Sequence, residues 1–329
     1  MLSSVAKLAD KTFIIGFLLP AMLGVYAAIN LLNCPSWANA VCKVSAEKPF
    51  ENLTYVALVV WFLAVLLLTL NYTAYRILEG YLPPTCWLSS VKDYHRERFA
   101  MLTAERKKLL ADKHAAEASA VKRELLASYP VDEQYILPTA FGNRIRAFES
   151  YATKKYGADS ITVWSRLGAV IPAGFQGQIN DARSQVDFFV NVMVLALAIA
   201  MLAGVQAVMQ VGDSGVPPLS QKATHDVRHL LVVAGAALAS AAVAYRWALA
   251  QIGGWGELVK SAFDCYLPTL AAQIGYDLPN SEAQRVAFWK DITQLFVFNN
   301  AMPEGKWTLA KPRPAANDPA PGTHDGGDD

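Results

Sequence analysis

Four long apolar runs constrain this chain more than any other feature. They cover residues 12–32, 53–72 with a helical extension to Tyr81, 187–209 and 227–252. At roughly 1.5 Å per residue each reaches the ~30 Å of a bilayer's hydrocarbon core, and none carries a charge near its middle. They read as transmembrane helices. Apolar residues make up 53% of the chain and charged residues only 17%, which suits a membrane protein better than a soluble enzyme of this length. The fold class expected is therefore all-α: a polytopic integral membrane protein with four spans and a helical cytoplasmic domain. Lys+Arg 29 against Asp+Glu 28 leaves a net charge of +1, which excludes a strongly basic nucleic-acid binder.

These runs divide the chain. Residues 1–82 form a first transmembrane hairpin with a short exported loop, 83–186 a cytoplasmic helical domain, and 187–252 a second transmembrane hairpin. Residues 253–300 form C-terminal cytoplasmic helices, and 301–329 a disordered tail rich in Pro, Gly, Ala and Asp. The first run has Lys7 and Lys11 before it and Ala38-Asn39-Ala40 after it, but it is longer than a signal-peptide core, so an uncleaved anchor is expected. Lys7, Lys11, Arg76, Lys92, Arg183, Arg246 and Lys260 flank one side of the membrane, and Lys43, Lys48, Lys222 and Arg228 the other. The positive-inside rule then puts both termini in the cytoplasm of a cell with this protein in its inner membrane. Cys34 and Cys42 fall in the exported loop, where a disulfide is permitted, and Cys86 and Cys265 on the reducing side.

Val91 to Ser128 has no Gly or Pro and is dense in Ala, Glu, Lys, Arg and Leu, which predicts one long helix ending before Pro130. A heptad frame from Phe99 puts Arg106 and Lys113 at core positions, so it is no autonomous coiled coil. Its alternatives are a solvated helix packed along one stripe or a basic face on anionic headgroups. Thr139 is the expected N-cap of a helix stopping at Tyr156-Gly157. Ile161 to Ile171 reads as a short interfacial or docking helix, with Trp164 at headgroup level and Arg166 reaching a phosphate or Glu149; its alternative is simple packing under the membrane domain. Asp187 favours the start of the third span on dipole grounds, and Asn71 and Asn191 can hydrogen-bond between spans. Lys260, one turn before Asp264, suggests an ion pair, as does Arg76 with Glu79. Ser281 and Gln284 have capping-box spacing ahead of a last helix that should pack on the central segment.

Several local patterns carry a resemblance: Arg76-Ile77-Leu78-Glu79-Gly80-Tyr81, Leu137-Pro138-Thr139, Gly142-Asn143, Arg146-Ala147, Tyr156-Gly157, Val163-Trp164-Ser165-Arg166-Leu167, Ser261-Ala262-Phe263-Asp264-Cys265-Tyr266 and Leu278-Pro279. Over residues 54–298 the chain resembles a family of bacterial multi-pass membrane proteins of unknown activity. The resemblance implies one shared architecture and supplies no reaction. The chain departs from the pattern at Ser165, where Pro is usual, and at Leu267-Pro268, where basic residues follow.

Chemistry-bearing motifs are few. No Gly-rich phosphate loop, G-x-S-x-G, Cys-x-x-Cys or His-Glu-x-x-His pattern occurs. His225 and His229 are one turn apart but lack a third ligand unless Asp213 folds over, and Arg228 repels a cation. No catalytic residue, cofactor or metal is expected. The candidate interaction residues are Arg76, Glu79, Arg144, Arg146, Glu149, Tyr156, Trp164, Arg166, Lys260 and Asp264. The reading preferred on this basis is a non-catalytic membrane scaffold or sensor whose cytoplasmic helices bind a protein partner or a second copy. An oligomeric pore comes second and a membrane enzyme third.

Overall fold

A computed structural model describes residues 10–32, 49–87, 89–213 and 221–310. Cys34 and Cys42, the Ala38-Asn39-Ala40 signal and the tail from 311 lie outside the described residues, as do the side chains of Asp213 and His225. The described chain is helical: α1 (Lys11–Leu31), α2 (Pro49–Glu79), α3 (Ser89–Ala111), α4 (Ala115–Ser128), α5 (Ala140–Tyr156), α6 (Ser160–Leu167), α7 (Ala173–Asp213), α8 (Gln221–Gln273) and α9 (Glu282–Phe298). Four of these, α1, α2, α7 and α8, are long and apolar enough to cross a membrane. Much of their apolar surface faces outward, Leu58, Phe62, Met201, Val232 and Trp247 included, as lipid-facing helices require.

The chain divides into two compact units, Met1–Tyr151 with Pro172–Ser261, and Ala152–Ile171 with Ala262–Asp329. In the first, α1 lies against α2 and α7, burying Phe13, Phe17, Ala21 and Val25 on Val60, Ala64 and Leu67. Pro20 shapes this contact. Proline has no N–H for the carbonyl four residues back and its ring crowds that oxygen. Here that oxygen is Gly16 O, and the helix widens to π geometry over Ile14–Leu18. Asn191 of α7 supplies the missing donor, its Nδ2 lying 2.8 Å from Gly16 O. Ala-rich stripes close the α7–α8 contact through Ala196, Ala203, Ala207, Ala237, Ala241 and Ala244.

Two expectations change in this unit. The single helix over 91–128 is a hairpin instead. Lys113 turns left-handed at φ 59°, His114 N–H bonds Leu109 O at 2.8 Å and Lys113 N–H bonds Leu110 O at 3.3 Å, which is a Schellman stop without a glycine. What favours the reversal is burial: Phe99 and Leu102 of α3 close on Val121 and Leu125 of α4, with Tyr129 and Ile136. The heptad seam fails at Lys113 because the chain turns there. Second, α7 begins at Ala173, so Asp187 is four turns inside a helix rather than at its start.

In the second unit, α9 packs on α6, and Phe263, Leu270, Phe288, Trp289 and Ile292 form its core. Asp159 caps α6 by accepting from Thr162 N–H at 2.8 Å. That helix ends at Leu167 instead of continuing to Ile171. α9 starts where expected, but the Ser281 side chain makes no capping hydrogen bond. The tail expected to be disordered from 301 folds back as far as 310: Asp277 N–H bonds Thr308 O at 2.9 Å, and Lys306 and Trp307 both reach Asp291.

Candidate functional site

The C-terminal end of α2 and the N-terminal end of α5 meet head to tail. Gly80 stops α2 in the left-handed region at φ 93°, with Tyr81 N–H on Arg76 O at 2.9 Å and Gly80 N–H on Ile77 O at 3.0 Å. Thr139 serves both helices. Its Oγ1 donates to Leu78 O at 2.5 Å, near the end of α2, and accepts Gly142 N–H at 2.9 Å, capping α5. Opposite dipole ends meet at this joint, the negative C-terminal end of one helix against the positive N-terminal end of the other. Gly142 permits the approach, because a Cβ there would run into the backbone of Glu79. Asn143, fully buried, brackets Leu137: its Oδ1 accepts Leu137 N–H at 2.7 Å and its Nδ2 donates to Leu137 O at 2.9 Å.

Around this joint the charged side chains converge on Tyr81. The Arg76 guanidinium lies 3.8 Å above the Tyr81 ring, and Arg146 donates to the Tyr81 hydroxyl through Nε at 2.8 Å and also through Nη2. Arg76 and Glu79 stand 3.9 Å apart, and Arg146 and Glu149 3.3 Å. Two cations and two carboxylates balance, so the assembly is an ion-pair and cation–π latch. Burial pulls the Arg146 guanidinium down, but Glu149 and the Tyr81 hydroxyl outweigh it and hold Arg146 above its usual range.

Four of the expected residues, Arg76, Glu79, Arg146 and Glu149, therefore share one place. Arg144 does not join them: two residues from Arg146 it points off another face of α5 and bonds Leu249 O at 2.5 Å. Lys260 and Asp264 have different partners. The Lys260 ammonium is 2.9 Å from Glu257, whereas Asp264 accepts from the Tyr156 hydroxyl at 2.6 Å and from Lys155 at 3.2 Å. Trp164 lies beside Phe263, ring centroids 5.8 Å apart, and Arg166 over the Phe296 ring at 3.9 Å.

A second polar cluster lies within the spans. Asp187 on α7 is 5% exposed, and its Oδ1 accepts from Tyr75 Oη at 2.7 Å and Asn71 Nδ2 at 3.2 Å, both on α2. Arg183 Nε is 3.9 Å from Oδ2, longer than a hydrogen bond. The α1 backbone abuts the cluster, since a Cβ on Gly16 would sit 3.2 Å from Asp187 Cβ. Sequence reasoning missed Asp187 and Tyr75 as partners. A signal existed, because Asn71/Tyr75 and Asp187/Asn191 are polar i,i+4 pairs in two separate apolar helices. Among the described residues no group of three or more His, Cys, Asp or Glu side chains could hold a metal ion. Comparison with family models, with curated proteins and with solved structures finds no match to this chain.

Proposed function

We propose that this protein is a non-catalytic membrane sensor or scaffold of the bacterial inner membrane. In this reading both termini and the helices outside the spans are cytoplasmic, and those helices bind a protein partner. The observation that supports it is the joint between α2 and α5. A helix long and apolar enough to span a membrane ends directly on the first turn of α5, held by Thr139, by the Gly142 contact and by the Tyr81 latch. Rotation or translation of α2 is thereby carried into α5 without an intervening flexible linker. Packed elements with two discrete arrangements are how such displacements travel.

The test is affinity capture of the full-length protein from native membranes, comparing wild type with Arg146→Ala and Trp164→Ala. A partner retained by wild type and lost from either variant, with the variant still folded by thermal unfolding in detergent, supports the reading. A partner set unchanged by both substitutions refutes it.

A further inference from the structure

The Asp187 cluster is short of donors. Its acceptors are the two Asp187 oxygens and Asn71 Oδ1, and the Tyr75 hydroxyl and one Asn71 amide hydrogen both go to the same oxygen, Asp187 Oδ1. Asn71 Oδ1 is buried with no hydrogen-bond partner, and Asn71 as a whole is 7% exposed. A buried acceptor without a donor costs about 1–3 kcal/mol, and an ionised carboxylate within membrane helices is costlier still. Among the described residues, the cation paired with Asp187 is loosely held: Arg183 stands beyond hydrogen-bond reach of Oδ2, half its side chain is exposed, and its guanidinium also lies 5.9 Å from the centroid of the Trp255 ring on α8.

We propose that Asp187 is a reversible proton-binding site within the membrane-spanning part of the protein, with Asn71 and Tyr75 as the groups that register its occupancy. The proton comes from water on the Arg183 side. One O–H bond forms on the carboxylate, whose charge falls from −1 to 0, and Arg183 is released to solvent. The added hydrogen supplies the donor the cluster lacks. If the Asn71 amide turns over, its oxygen takes the place of its nitrogen, 3.2 Å from Asp187, and accepts from the new O–H. Charged and titratable groups on the elements packed around Asp187 include Arg183 and Asp181 on α7, Lys11 on α1, bonded to Asp181 at 2.6 Å, and Tyr75, Arg76 and Glu79 on α2. Tyr75 is one turn before Glu79, so occupancy acts on the helix that ends in the Tyr81 latch. That last step rests on the sensor reading, with the proton as its stimulus; the site itself does not.

Infrared difference spectra of the full-length protein reconstituted in lipid, recorded across a pH titration, test the site. A protonated-carboxyl C=O band is expected that grows with acidity, shifts in D2O and is missing from Asp187→Asn. Tyr75→Phe, which removes one hydrogen bond to the carboxylate and little volume, should bind the proton about tenfold more tightly, moving the midpoint of that band by about one pH unit. If Asp187→Asn fails to fold, Tyr75→Phe still decides. A wild-type spectrum that contains no titrating carboxyl component beyond that of Asp187→Asn, or a midpoint unmoved by Tyr75→Phe, overturns the proposal. This readout needs no partner, so its failure is distinct from failure of the capture experiment.

Discussion

Substituting Gly142 by alanine puts the helix joint under direct test. In an ordinary helix interior this change stabilises by about 1 kcal/mol, because alanine loses less backbone entropy than glycine. At position 142 the new methyl would lie 2.9 Å from Glu79 Cα and 2.9 Å from Leu137 Cδ1, and nearer still to Glu79 O. Two of those three atoms belong to a helix backbone and cannot step aside as a side-chain tip can. Overpacking of this kind costs about 1–3 kcal/mol, and the rigid neighbour places it toward the upper end. The net expectation is a loss of about 2 kcal/mol. With roughly 2–4 °C per kcal/mol for domains of 150–250 residues, the unfolding midpoint in detergent should fall by about 4 °C or more. Gly177→Ala is the internal control: Gly177 lies in α7, is exposed, and has nothing within 4 Å of its would-be Cβ. The same methyl there should raise the midpoint by a degree or two, within the roughly 1 kcal/mol propensity gain. Tryptophan fluorescence during heating reads both. A Gly142→Ala protein as stable as wild type, or shifted in the same direction as Gly177→Ala, would show that α2 and α5 do not meet as described.

Further outcomes follow from the same contacts. Asn143→Leu strips both hydrogen bonds from Leu137 and should cost about 2 kcal/mol, two part-buried backbone groups at about 1 each, measured by the same heating experiment. Burial holds His95 below the ordinary imidazole range, so the folded protein binds fewer protons than the unfolded chain; this contribution to stability is complete above the unfolded imidazole pKa and is lost as pH falls through the depressed folded value. Limited proteolysis of the α3–α4 hairpin should therefore speed up on acidification, and less so in His95→Gln; identical acid profiles would contradict this. Tyr156 is pushed up to about 12, by burial first and then by its hydrogen bond to Asp264, so its contribution is present below the ordinary tyrosine pKa and lost as pH rises through about 12. Tyr156→Phe should flatten the decline in unfolding midpoint over that alkaline range, and an unchanged slope would contradict the contact. A fluorescent reporter fused after Ala120 should glow and alkaline phosphatase fused there should stay silent; active phosphatase would reverse the proposed orientation.

The four long helices were legible because a bilayer imposes a length and a composition that few residues can disguise. The stop at Gly157 was legible too, since it uses a residue whose backbone freedom is its signature, and Gly157 N–H does bond Thr153 O at 3.1 Å. The hairpin between α3 and α4 was hidden because Lys113, a good helix former, occupies the left-handed position, and only tertiary burial of Leu102 and Tyr129 outweighs that strain. The latch was half visible. Arg76 and Glu79 announce themselves by spacing, but Tyr81 and Arg146 are 65 residues apart, and no periodicity connects them. Asp187 was misread because a carboxylate beside an apolar run looks like a helix start until the helix is seen to begin at Ala173.

The widened turn in α1 has a consequence for biosynthesis. A ribosome delivers Gly16 and Pro20 long before it delivers Asn191, so until Asn191 is made the Gly16 carbonyl lacks the side-chain amide it bonds in the finished fold. Hydrocarbon offers no substitute donor. That bond can close only once a helix translated some 170 residues afterwards has arrived, so α1 takes its final packing late in synthesis.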